Sequence, residues 1–275
     1  MQIYFEYRLM SKIFFIRLLH SVDRRFFLGK LNYLYKHVLV EKFMLKFKNS
    51  FYDHNIICQY KKNNYSILNS LCDKYGSDKG EIDSHNNPYN WPSHSYADLY
   101  DLFFKLRRHD VNLIIECGIG TNNPNLKSSM GAKGKPGASL RVWRDYFTNA
   151  KIIGLDIDKE ILFREDRIET FYCDQTDKVS IKNFCNNYGL QNNCVDIIID
   201  DGLHQFSAGK NFFENMSPYL SKDGIYIIED IGAKDMIKYK KFFSEEEKFS
   251  VHFFHLNRPN QVINKNRLIV ITHNN

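Results

Sequence analysis

From residue 111 onward the chain alternates short apolar runs with helix-like stretches, and this alternation limits the fold more than any other feature. The runs cover 111–117, 151–156, 168–173, 195–200 and 224–229, and isoleucine dominates them. Helical patterns at 139–147, 178–188 and 209–220 lie between them. Strands that alternate with helices predict a parallel sheet covered on both faces. Two more runs, 249–256 and 267–272, have no long helix between them and predict a terminal antiparallel pair. The expected class is therefore α/β, with five parallel strands in the order 3-2-1-4-5 and the pair beyond them.

The residues upstream of this pattern differ in charge. The first 50 residues carry ten Lys or Arg and three Asp or Glu, a net charge of +7, while the rest of the 275-residue chain sums to −1. Apolar residues recur there at helical spacing (Leu31, Leu34, Tyr35, Val38, Leu39, Phe43, Phe47), which predicts amphipathic helices between about residues 8 and 48. The expected division is a basic helical segment over 1–65 and a catalytic-type domain over 66–275. The segment is expected to pack on the domain or on a second copy, making a homo-oligomer. Membrane-surface contact is the less favoured alternative. No dense Lys/Arg cluster points to nucleic acid.

No window of 18 residues is uninterruptedly apolar, and no secretory leader is evident. The 43% hydrophobic and 25% charged content excludes collagen-like, coiled-coil and disordered classes. None of the six cysteines forms C-x-x-C, so reduced, mostly buried thiols in a cytoplasmic protein are expected.

In an open α/β sheet, ligands bind beyond the carboxyl ends of the strands. The first strand ends in Glu116-Cys117-Gly118-Ile119-Gly120, where glycines permit a tight turn and close approach to a ligand. A nicotinamide fingerprint would place a third glycine at position 123, which is Asn123. Asp156, about 40 residues after Gly118, ends the second strand, where a carboxylate can accept from ribose hydroxyls. A loop charge or helix cap is the alternative. Asp174 and Gln175 end the third strand, where an adenine amino group could be read. Ser139 would open a helix whose amides face the site. The fourth strand ends Asp200-Asp201-Gly202-Leu203-His204 and the fifth ends Glu229-Asp230. Carboxylates crowded at neighbouring strand ends repel unless a cation neutralises them, and a hard divalent ion is the economical one. His204 fits a general base beside it.

Together with Lys74-Tyr75-Gly76-Ser77-Asp78-Lys79-Gly80, His94, Tyr96 and Pro136-Gly137-Ala138-Ser139-Leu140-Arg141-Val142-Trp143, these motifs resemble the class I S-adenosylmethionine-dependent methyltransferases. Within that class the chain is similar to the metal-dependent sugar O-methyltransferases of macrolide tailoring, of the mycinamicin 3''-O-methyltransferase type, and to capsule and surface-glycan methyltransferases. The likeness covers about residues 70–232. It implies a Rossmann-like sheet and magnesium held by Asp201, Glu229 and Asp230, with His204 as catalytic base. It also implies a donor site built from Tyr75, Ser77, Lys79, Glu116, Gly118, Gly120, Ser139, Asp156, Asp174, Gln175 and Asp200. Leu203 stands where that family usually has Ser. The expected activity is methyl transfer to a sugar hydroxyl of a surface glycan or glycosylated natural product. Two alternatives stay open: a phosphoramidate or phosphorylated capsule acceptor, and a catalytically silent binding subunit of the same fold.

Overall fold

The structure, a computed structural model, describes residues 55–59, 65–89, 91–257 and 266–274. The amphipathic helices expected between residues 8 and 48 lie outside these residues, as does the Cys58 side chain.

Among the described residues, nine strands form one sheet: β1 (Asn55–Gln59), β2 (Leu113–Cys117), β3 (Lys151–Asp156), β4 (Arg164–Glu165), β5 (Ile168–Tyr172), β6 (Val195–Asp200), β7 (Leu220–Ile228), β8 (Phe249–Asn257) and β9 (Arg267–His273). Their order is β1-β8-β9-β7-β6-β2-β3-β5-β4. The central strands β5-β3-β2-β6-β7 are all parallel, in the expected 3-2-1-4-5 order. The expected terminal pair is present, and β9 runs antiparallel to both β7 and β8.

Two strands extend the sheet beyond that expectation. β4 is a two-residue antiparallel addition to β5. β1 pairs in parallel with β8, so residues 55–59, expected in the N-terminal segment, belong to the sheet. No alternation marks so short a strand, and its partner lies about 200 residues away in sequence.

Helices α1 (Ile67–Tyr75), α2 (Tyr96–Phe104) and α3 (Ala138–Tyr146) cover one face. Helices α4 (Lys178–Tyr188), α5 (Phe206–Met216) and α6 (Ala233–Phe242) cover the other. Successive strand residues point to opposite faces. Ile114, Ile152 and Ile197 therefore pack under Leu68, Tyr100 and Trp143, whereas Ile115, Ile153 and Ile198 pack under Ile181, Phe212 and Met216. Each of these isoleucines is essentially unexposed, a burial worth about 1.5–3 kcal/mol per side chain. Two-sided burial explains why the runs read as continuous apolar stretches.

Local signals set the helix ends. Ser66 caps α1 by accepting from the Asn69 amide, and Gly76 ends that helix in the left-handed region. Asp177 and Gly189 do the same for α4. Cys72, Cys117, Cys173 and Cys185 are buried free thiols, and Cys194 is half-buried. Among the described residues, no helix is long and apolar enough to cross a membrane.

Candidate active site

A cavity of about 250 Å³ opens over the carboxyl ends of the central strands. One wall is the turn after β2. Gly118 and Gly120 have φ of +85° and +84°, a region that L side chains rarely enter. A Cβ on Gly118 would also lie 2.1 Å from the Asp201 carbonyl oxygen, so the turn presses directly on the chain leaving β6.

Asp156 lines this wall and is 7% exposed. Its Oδ2 accepts from the Ile119 amide and its Oδ1 from the Asp158 amide, both at 2.9 Å. Burial pushes its carboxyl up in pKa, and the amide hydrogen bonds oppose that. The carboxylate therefore fixes the glycine turn, and further lone pairs are left for a ligand. Ser139, in the first turn of α3, faces the same cavity.

The opposite wall carries charge. Asp201, His204, Glu229 and Asp230 all line the cavity. Neighbouring strand residues alternate in direction, yet Glu229 and Asp230 both reach it. Asp230 has φ +56° and His204 φ +55°, and these left-handed bends break the alternation. Strained backbone at residues that carry reactive groups is a common mark of a functional site.

His204 Nε2 is 3.1 Å from Asp201 Oδ1, and its Nδ1 is 3.7 Å from Asp230 Oδ2. Ligand atoms of Asp201, His204 and Asp230 all lie within 4.8 Å of one another, close enough to share a cation. Two carboxylates on one rim suit a hard divalent ion, and the residues present fit that group.

Glu229, expected as a third ligand, is placed differently. Its Oε2 takes 2.7 Å contact with Lys79 Nζ, and its Oε1 accepts from the Tyr100 hydroxyl at 2.5 Å. Lys79, expected at the donor, sits instead among carboxylates: its ammonium is 2.7 Å from Asp201 Oδ2 and 3.3 Å from Glu116 Oε1. Burial and neighbouring carboxylates push Glu229 well above the usual range, with the ammonium opposing them. Burial also acts to raise Asp201, but Lys79 and His204 hold it well below that range.

Of the expected donor residues, the structure brings Ser77, Lys79, Gly118, Gly120, Ser139 and Asp156 to the cavity. Tyr75, Glu116, Asp174, Gln175 and Asp200 do not line it. The Tyr75 hydroxyl donates to Asp145 and accepts from Arg144. Glu116 is fully buried beneath Trp143, whose Nε1 donates to it at 2.5 Å. Asp174 caps the turn into α4 through Thr176. Gln175 links Asp200 to the Leu203 amide. Burial raises the Asp200 carboxyl to about 6.

Sequence reasoning assigned no role to Tyr96 and Tyr100, or to His94 as a site residue. Tyr96 donates to Asp230 Oδ1 at 2.7 Å and accepts from the Asp230 amide at 3.2 Å. His94 stacks on Tyr96, with its Nε2 3.4 Å from Asp230 Oδ1. The available signal was two tyrosines four apart on an apolar helix face, where a buried hydroxyl needs a partner.

No protein-family model matches the chain. Among solved structures, it resembles MycE, a methyltransferase of the mycinamycin biosynthetic pathway solved in complex with Mg and SAH. The likeness has a TM-score of 0.54 at 22% identity and covers 78% of this chain and 55% of that one.

The chain has the class I methyltransferase fold.

Curated relatives carry the likeness into sequence. An 8-demethyl-8-alpha-L-rhamnosyl tetracenomycin-C 2'-O-methyltransferase from Streptomyces olivaceus is 28% identical over 186 residues, 68% of this chain and 43% of the relative. Demethylmacrocin O-methyltransferase from Streptomyces fradiae is 31% identical over 162 residues, 58% of this chain and 38% of the relative. Mycinamicin VI 2''-O-methyltransferase from Micromonospora griseorubida is 30% identical over 161 residues, 57% of this chain and 37% of the relative. The expected resemblance to sugar O-methyltransferases of macrolide tailoring is borne out. The chain spans about two fifths of the length of these methyltransferase relatives.

Proposed function

We propose that this chain is an S-adenosylmethionine-dependent O-methyltransferase that acts on a sugar hydroxyl with help from a divalent ion, taken to be magnesium. The observation that carries it is one cavity joining a glycine turn and Asp156 on one wall to Asp201, His204 and Asp230 on the other. The relatives named above are O-methyltransferases, one of them of a rhamnosyl tetracenomycin, which supports a glycosylated acceptor. A surface glycan or capsule sugar would present the same chemistry.

When bound, the donor supplies a methyl already activated on a sulfonium, and a divalent ion lowers the pKa of an acceptor hydroxyl. The chain's own residues supply position and a proton acceptor. Gly118 and Gly120 bring the backbone close to the donor, and Asp156 holds that turn while offering acceptors to a ribose. Ser139 presents the start of α3. Asp201 and Asp230 form the part of the acidic rim that would hold the ion, with Glu229 behind them on Lys79. Asp201 orients the imidazole of His204 through Nε2, leaving Nδ1 to take the acceptor proton. Asp230 stands by to stabilise the imidazolium formed. A well-oriented donor and acceptor pair lowers the barrier by about 7–11 kcal/mol.

A phosphorylated or phosphoramidate-bearing acceptor is the second reading. Lys127 and Lys135 line the cavity on the side of its 121–136 loop and favour an anionic group there. A second copy of the chain, a cytoplasmic location and the helical segment's packing remain parts of the same proposal.

Calorimetry with S-adenosylhomocysteine tests the donor half. Binding tighter than about 100 μM, roughly −5.5 kcal/mol, is expected, and no heat at millimolar ligand would sink the reading. Turnover assayed on neutral glycosides and on sugar phosphates, with and without chelator, tests the acceptor half. A silent binding subunit would bind donor and transfer nothing.

A further inference from the structure

Lys79 is the least expected member of the acidic rim. Its side chain is 3% exposed, and its ammonium lies 2.7 Å from Asp201 Oδ2, 2.7 Å from Glu229 Oε2 and 3.3 Å from Glu116 Oε1. Glu116 Oε1 and the Glu229 side chain are buried. Three carboxyl groups so placed cannot all ionise unless a cation stands between them. A lone buried ammonium is equally costly without anions around it. Each side thus requires the other.

The chain delivers Lys79 from afar, 122 residues from Asp201 and 150 from Glu229. Its backbone is pinned where it arrives. The Ala97 amide of α2 donates to the Lys79 carbonyl at 2.9 Å. A Cβ on the next residue, Gly80, would lie 2.3 Å from Asn69 Oδ1 and 2.4 Å from Ala97 Cβ. Only a glycine lets the segment wedge between α1 and α2 and aim the lysine at the strand ends. An ammonium surrounded in this way has no lone pair to offer, so it serves as neither base nor nucleophile.

We propose that Lys79 is a resident cation of the rim: it holds Glu116, Asp201 and Glu229 together without a metal, and leaves the Asp201 Oδ1 and Asp230 side of the rim for a divalent ion. The rim is therefore assembled before the ion arrives. Lys79 is a positioning residue, and in its second part this role rests on the divalent-ion site of the proposed function.

Two measurements on the full chain test it. Lys79→Met keeps the length and removes the charge. In chelator its melting temperature is expected to fall by about 10 °C, as for a buried ion network that loses one sign of charge. Saturating magnesium, with no donor or acceptor present, is expected to restore at least half of that fall, while shifting the wild type by a smaller amount. An unchanged melting temperature, or a fall that magnesium does not restore, overturns the role. Should the variant not fold, reductive methylation of the wild type in chelator, read by mass spectrometry, decides it. Lys79 is expected to react at least about tenfold more slowly than Lys127 and Lys135, because its ammonium is reached only through local opening. Labelling of Lys79 at their rate in chelator would show that the ammonium leaves the rim without metal, and that overturns it. Neither readout involves methyl transfer, so failure here leaves the proposed reaction standing, and absence of donor binding leaves both readouts intact.

Discussion

The two walls of the cavity are built on different principles. The wall after β2 and β3 is shaped by backbone: a glycine turn with positive φ, held by one carboxylate that accepts two amides. The wall after β6 and β7 is shaped by charge: Asp201, Glu229 and Asp230 are held by one lysine, two tyrosines and two histidines. The first wall should tolerate almost no added volume at its glycines. The second tolerates isosteric change but no change in charge. Substitutions that alter one property at a time separate them.

The largest expected effect is on the charged wall. His204→Ala should lower kcat by about 10²–10⁴-fold, the usual worth of a positioned general base. Calorimetry should show S-adenosylhomocysteine bound as in wild type. A variant as fast as wild type across about pH 5–8 removes His204 from the chemistry. Asp201→Asn, almost unchanged in shape, should lose divalent-ion affinity as well as turnover.

On the backbone wall, Gly118→Ala should destabilise by about 2–5 kcal/mol, from overpacking against the Asp201 carbonyl and from the left-handed backbone. Urea denaturation measures it. A loss below about 0.5 kcal/mol, the level of an ordinary surface change, would mean that the turn does not press on the opposite wall.

Asp156→Ala removes acceptors from two backbone amides. It should weaken donor binding by about 10- to 150-fold, equivalent to 1.5–3 kcal/mol. Unchanged affinity together with lower thermal stability would leave Asp156 as a brace for the loop only.

The sequence made the strand ends legible and their partners illegible, for a physical reason. Ile-rich runs buried on both faces mark where β2, β3, β6 and β7 stop, and the parallel order brings Asp201 and Asp230 to one rim. That inference needs only local pattern and sheet topology. Lys79, Tyr96 and Tyr100 reach the same rim through contacts more than 120 residues apart, and no local pattern says which rim group each of them meets. Asp200 and Asp201 illustrate the limit within one motif. They are consecutive acids, but the strand's alternation sends Asp201 to the cavity and Asp200 toward Gln175. β1 went unread because it is five residues long and its partner among the described residues, β8, is about 200 residues away.

The smallest effect lies outside both walls. Burial acts to raise the Asp145 carboxyl, yet hydrogen bonds from Tyr75, Lys74 and Arg144 hold it down to about 2 from an ordinary 3.8. A folded-state pKa below the unfolded one gives stability that is complete above about pH 4 and is lost as pH falls toward 2. The group is partly exposed, so less than about 1 kcal/mol is expected. Tyr75→Phe should flatten part of that acid dependence in denaturation curves and leave S-adenosylhomocysteine affinity unchanged. Weakened affinity would instead return Tyr75 to the donor site.

The left-handed residues His204 and Asp230 carry a consequence for anyone evolving this protein. Glycine fits such backbone without strain, so at His204, which is not buried, selection for heat resistance alone should favour His204→Gly, whereas Asp230 is kept by the Tyr96 hydroxyl that donates to it. The survivors of such a screen would be sturdier proteins stripped of the base. A library meant to harden the fold and keep its chemistry has to hold the His204 codon fixed and look for gains elsewhere, on the solvent faces of α4 and α6.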